Sequence, residues 1–64
     1  MSNTDQHLFD ILSQRGPLTF GGLVTLLTLA KGIGRREAGV AVADFLADAH
    51  GQLMNRDGRY SLAR

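Results

Sequence analysis

Cysteine and tryptophan are both absent from this chain, and proline occurs once. Without cysteine there is no disulfide framework, no thiolate zinc site and no thiol nucleophile, a composition that suits a reducing compartment. Long apolar runs are missing too: none approaches the eighteen or more residues of a membrane span, and "MSNTDQH" has neither the basic nor the apolar region of a signal peptide. The expectation is a soluble, cytoplasmic protein with no membrane contact. Net charge is small, +1 over 64 residues, which by itself announces no nucleic-acid partner. A chain of 64 residues makes one domain at most, and a domain of this size buries only about 60% of its unfolded surface. Its core rarely supplies more than about 3–5 kcal/mol. With disulfides excluded, a partner chain remains one way to add stability.

Catalytic groups are equally scarce. His7 and His50 are the only imidazoles, and the one local pair, His7 with Asp10, lies at i, i+3 on a helix face read as exposed. A metal site needs more ligands than that, so both histidines are read as surface residues. Neither "GIG" nor "FGG" is followed by the lysine and hydroxyl residue of a phosphate loop. No enzyme, no cofactor and no metal are expected.

What the chain does have is an uneven distribution of charge. Residues 1–30 carry a net −1, residues 31–37 +2, residues 38–51 −2 and residues 52–64 +2. Positive charge thus gathers at Lys31, Arg35 and Arg36 and again at Arg56, Arg59 and Arg64.

The order of elements follows from local signals. Thr4 suits an N-cap; Leu8, Ile11 and Leu12 then recur on one face with Phe9 at its flank, and "RGP" ends a first helix over residues 5–15. Pro17 biases residues 17–19 to extended backbone, and Thr19 can cap a second helix, "FGGLVTLLTLAK", over residues 20–31. Val24, Thr25 and Thr28 would also suit a strand, but the length and the lysine-glycine ending favour helix. Gly32 terminates it, and Ile33 folds back as an apolar anchor. Gly34 opens a third helix over residues 35–49 with Ala38, Val42, Phe45, Leu46 and Ala49 inward, and Gly51 is expected to stop it.

The stretch after it is the most specific in the chain. Asp57-Gly58 between two alternating runs predicts a hairpin over residues 52–63 with a type I′ turn, which needs positive φ at both central positions. Arg56 then faces Arg59, Asn55 faces Tyr60, Met54 faces Ser61 and Leu53 faces Leu62. Leu53, Tyr60 and Leu62 point to the core, and Met54, Arg56, Arg59 and Ser61 point away. Tyr60 and Phe20 both fall on inward apolar patterns and are read as core rather than as platforms for stacked bases. The few residues before Thr4 and after Leu62 are read as disordered ends.

Helix, short extended segment, helix, turn, helix and two-stranded hairpin is the order of a winged helix-turn-helix domain, and the sequence resembles one over nearly its whole length. "LFDILSQRGPLTFGGLVTLL" looks like the first two helices with the short strand between them. "VADFLADAHGQLMNRDGRYSLA" looks like the end of a recognition helix running into a wing, while "AKGIGRRE" is longer and richer in glycine than the usual turn. The resemblance implies an α+β, mostly helical fold: three helices and a C-terminal two-stranded β-hairpin wing. It also implies duplex DNA binding through the start of helix 3 and the wing.

Two placements can be weighed on their own physics. Arg35 and Arg36 stand in the first turn of helix 3, where the macrodipole disfavours cations by roughly 0.3–1 kcal/mol each. Arg56 and Arg59 face each other across two strands, where like charges repel. Both become favourable around a phosphate, which arginine can hold bidentately. The competing readings are a solvated surface offset by Asp57 for the hairpin pair and a local pairing with Glu37 for the helix pair. The candidate DNA-binding residues are Lys31, Arg35, Arg36, Arg56 and Arg59. Against base readout, the outward face of helix 3, with Arg36, Glu37, Val40, Ala43, Asp44, Ala47 and Asp48, has three acids to one base. It also lacks the Asn, Gln, Ser or Thr that would read base edges, leaving specificity to arginines, thymine methyls or DNA shape.

A second class of function comes from the same helices. Gly39, Ala43 and Ala47 form a smooth ridge, and the leucines of helix 2 surround most of its circumference, more than a small core should cover. Leu23, Leu27, Gly39, Ala43 and Ala47 are the candidate partner interface, in a homodimer or with another protein. Two readings stand: a dimeric DNA-binding regulator of transcription from a prokaryote or phage, and a winged-helix scaffold that acts only through protein contact as an adaptor or inhibitor. Salt separates them, since counterion release weakens DNA binding steeply and an apolar interface far less.

Overall fold

In the computed structural model, which describes residues 3–63, helix α1 (Asn3–Arg15) leads into a short strand β1 (Leu18–Thr19) and helix α2 (Phe20–Lys31). Helix α3 (Arg35–Asp48) follows, then one 3₁₀ turn (His50–Gln52) and the strands β2 (Leu53–Arg56) and β3 (Arg59–Leu62). The fold is α+β and mostly helical with a C-terminal β-hairpin, an arrangement compatible with a winged helix.

The breaks between elements come from residues with particular backbone freedom. The Gly16 N–H donates to the Leu12 carbonyl at 2.9 Å with φ at +80°, and the Gly32 N–H donates to the Thr28 carbonyl at 2.9 Å with φ at +67°. Both are left-handed C-terminal closures that a side chain would strain. At the other end of α2 the Thr19 hydroxyl accepts from the Gly22 N–H at 3.0 Å, satisfying one of the amides a helix start leaves bare. Asp57 (φ 55°) and Gly58 (φ 77°) carry the hairpin turn, and every facing pair in the hairpin is the expected one, from Leu53 with Leu62 to Arg56 with Arg59.

Several details differ from the sequence reading. Thr4 lies inside α1, which begins at Asn3. Gly51 does not end α3: Ala49 does, its N–H donating to the Phe45 carbonyl, and Gly51 belongs to the 3₁₀ turn. At the ends, read as disordered, Asn3 is the first residue of α1 and the Ala63 N–H donates to the Gln52 carbonyl at 2.9 Å; residues 1, 2 and 64 lie outside the described part. The larger difference is β1. Its two residues pair antiparallel with β3, Leu18 with Tyr60 and Thr19 with Arg59, so the hairpin joins a three-stranded sheet in the order β1-β3-β2.

One face of that sheet closes the core. Leu8 and Leu12 from α1, Leu23, Val24 and Leu27 from α2, and Ala38, Val42, Phe45 and Ala49 from α3 are buried, with Leu18, Leu53, Tyr60 and Leu62 packed against them from the sheet. The rings of Phe9 and Phe45 meet edge to face, with centroids 5.1 Å apart, an arrangement favoured by their quadrupoles. Phe20, read as core, is 41% exposed. As the first residue of α2 it stands before the helix has turned its buried side inward. No helix among the described residues is long and apolar enough to cross a membrane.

Candidate nucleic-acid interface

The open face of the sheet gathers what the hairpin turns away from the core. Across its three strands, Thr19, Arg59 and Arg56 stand in one row, and strand alternation puts Met54 and Ser61 in the next. Pro17, Met54, Arg56, Asp57, Arg59 and Ser61 line a shallow cleft of about 230 Å³. Both arginines are exposed. Asp57, expected to offset them, forms no ion pair with either. The turn holds two facing cations over an apolar floor, and among the described residues lining the cleft Asp57 is the one acid.

The second group of cations spans the end of α2 and the start of α3. Lys31 is in its last turn, where the helix dipole favours a cation. Arg35 and Arg36 begin α3, and the cap residue Gly34 offers that helix no side-chain bond. Arg35 does not turn to Glu37 as its local partner. Its Nη1 donates to the Thr25 hydroxyl at 3.3 Å, laying the guanidinium along α2. Because Thr19 caps the start of α2 and pairs with Arg59, the hairpin arginines sit beside the beginning of that helix, while the Arg35 guanidinium reaches its middle at Thr25 and Lys31 stands in its last turn. Thr25 is the sixth of the 12 residues of α2, so at a rise of about 1.5 Å each the Arg35 guanidinium lies about 9 Å along the helix from its start. Arg59, Arg35 and Lys31 therefore mark the start, the middle and the end of α2. The sequence over residues 11–36 has no acidic residue at all.

No family model, curated protein or solved structure matches this chain. Its function has to be read from its own residues.

The remaining sequence-predicted positions divide. Leu23 and Leu27, expected at a partner surface, are 0% exposed and belong to the core of this one chain; the leucine that α2 leaves outside is Leu29, at 77%. On α3, Ala43 and Ala47 are exposed and Gly39 is half-buried. Arg36, Glu37, Val40, Asp44 and Asp48 are exposed with them, so the outward face of α3 is as acidic as its sequence implies. His7 is half-buried rather than exposed, and Asp10 accepts a 3.3 Å bond from the Gln6 amide. The side chain of His50 is outside the described part. Among the described residues no three His, Asp or Glu side chains are grouped to hold a metal.

Sequence reasoning missed the pairing of β1 with β3, and with it the position of the hairpin arginines against the start of α2. A two-residue strand has too few side chains for a periodicity. The proline before it marks the backbone as extended, but nothing local names its partner.

Proposed function

We propose that this chain is a small winged-helix protein that binds duplex DNA through the phosphate backbone, as a non-enzymatic transcriptional regulator in the cytoplasm of a prokaryote or in a phage-infected cell. The observation that carries the reading is the register of Arg56 opposite Arg59 on an open sheet face with no ion pair to Asp57. Two facing cations oppose folding of the hairpin, and a phosphate between them turns that repulsion into charge-assisted hydrogen bonds. Lys31, Arg35 and Arg36 form a second contact, with Lys31 in the last turn of α2 and the Arg35 guanidinium at its middle. The acidic outer face of α3 keeps that helix from lying deep in a groove, so only its first turn approaches the duplex. Backbone contacts with shape-dependent preference follow, rather than readout of base edges.

The test is binding of fluorescent random-sequence duplex to the wild type and to two double variants, Arg56→Ala/Arg59→Ala and Arg35→Ala/Arg36→Ala, across a salt series. Each pair is expected to weaken binding; Arg56→Ala/Arg59→Ala should lower the slope of log affinity against log salt by about 0.9, for the one phosphate that pair holds, and Arg35→Ala/Arg36→Ala by about 0.9 for each phosphate it contacts. Circular dichroism spectra should stay unchanged, since all four side chains are exposed. A folded wild type that ignores DNA at low salt overturns the reading and leaves the scaffold that works only by protein contact, which the exposed Leu29 and Val40 favour.

A further inference from the structure

Arg35 begins α3, yet its side chain lies along α2. On its own helix Ala38 and Gly39 stand at i+3 and i+4 and present no polar side chain, and Glu37, two positions on, does not share its face. The guanidinium instead reaches ten residues back, where Nη1 donates to the Thr25 hydroxyl at 3.3 Å, and both side chains are exposed. The other threonine hydroxyl of α2 is engaged within its own helix, Thr28 donating to the Thr25 carbonyl at 2.6 Å. Thr25 stands at i+3 from Gly22, so the two share a face, and at about 1.5 Å per residue they lie about 4.5 Å apart along the axis. The Gly22 end of that face adjoins the hairpin. Thr19 Oγ1 lies 3.3 Å from where a Gly22 Cβ would stand, and Thr19 faces Arg59 across the sheet, which puts their side chains on one side. Arg59 and Arg35 thus approach neighbouring positions on the outer face of α2. Leu29, one turn past Thr25 and 77% exposed, ends that strip on an apolar side chain.

We infer that Thr25 is a positioning residue, whose hydroxyl holds the Arg35 guanidinium over the outer face of α2 so that Arg35 and Arg59 grip phosphates of one duplex backbone laid along that face. This role rests on the DNA reading above and adds to it the face that meets the duplex and the residue that orients its cation. An unheld arginine samples many rotamers and loses that freedom on binding. The bond to Thr25 removes part of the loss before the duplex arrives, so the guanidinium is preorganised. It also draws the charge away from the first turn of α3, where the helix dipole opposes it. Of the five guanidinium N–H donors Thr25 engages one, and four remain for phosphate oxygens. No acidic residue occurs in α2 to compete for them.

The experiment is a double-mutant cycle on the binding of fluorescent random-sequence duplex across a salt series. It compares the wild type, Thr25→Val, Thr25→Ser, Arg35→Ala and Thr25→Val/Arg35→Ala, each checked for folding by circular dichroism. Thr25→Val keeps the branched shape and removes the hydroxyl. It is expected to weaken binding about two- to tenfold, the range of one net hydrogen bond, with the salt slope unchanged because Arg35 keeps its charge. Thr25→Ser should restore wild-type affinity. Arg35→Ala should lower the slope by about 0.9 for each phosphate it releases, and in that background Thr25→Val should weaken binding no further. In an Arg36→Ala background Thr25→Val should weaken it as much as in the wild type, since Arg36 takes no part in the bond. A threonine that only supports the helix would weaken binding equally in every background, and that result overturns the inference. So does a Thr25→Val variant, or an Arg35→Ala variant, that binds as the wild type does. In each of these cases the DNA reading survives, whereas a folded wild type that ignores duplex at low salt overturns the reading and the inference together.

Discussion

Gly39 occupies the fifth position of a 14-residue helix, where glycine costs about 1 kcal/mol against alanine because the unfolded chain gains most freedom there. Its place in a smooth ridge suggests a close approach by another helix, yet nothing lies within 4 Å of where its Cβ would stand. Within this chain the glycine has no packing reason. Gly39→Ala should therefore stabilise the fold by roughly 0.5–1 kcal/mol, read as a higher urea midpoint with an unchanged slope. Destabilisation would mean that the added methyl meets something this fold does not place there. The arginines of the hairpin are the opposite case at the same scale. Their positions follow from Asp57 and Gly58 alone, because a two-residue turn with φ at 55° and 77° leaves one register for the strands it joins.

Among the elements, β1 and α2 depend on a single side chain. Thr19 pairs with Arg59 through its backbone and caps α2 through its hydroxyl, 3.0 Å from the Gly22 N–H. Thr19→Ala should lower stability by about 1 kcal/mol. Thr19→Ser keeps the oxygen and should recover most of that loss, with thermal unfolding followed by circular dichroism as the measurement. The cap was legible because threonine after an extended Pro-Leu pair, ahead of a long apolar run, is a local pattern. The inner arc of α2 was not legible in the same way. A helix with leucine or valine at residues 23, 24, 26, 27 and 29 has no single apolar stripe, and its periodicity points in several directions at once.

For the molecule as a whole, stability rests on one small core with a radius of gyration of 10.5 Å. Leu27 is 0% exposed at its centre. Leu27→Ala costs about 2–5 kcal/mol through lost transfer energy and the cavity left behind, against a total of about 3–5 kcal/mol for a core of this size. The variant should be largely unfolded at 25 °C by amide chemical-shift dispersion; a well-folded Leu27→Ala would show that the core holds more reserve than its size implies. The sequence by itself determined the three helices, the left-handed closures at Gly16 and Gly32, the hairpin with its register, and the acidic outer face of α3. Each of these depends on residues within a turn or two of one another. Only the tertiary structure decided that Leu23 and Leu27 lie inside while Leu29 lies out, that Phe20 is uncovered, that Arg35 reaches Thr25 rather than Glu37, and that β1 holds the hairpin at the start of α2. Those outcomes depend on which elements meet. Contacts between segments distant in sequence are chosen by the shape and apolar area of the whole chain, and no local spacing records that choice.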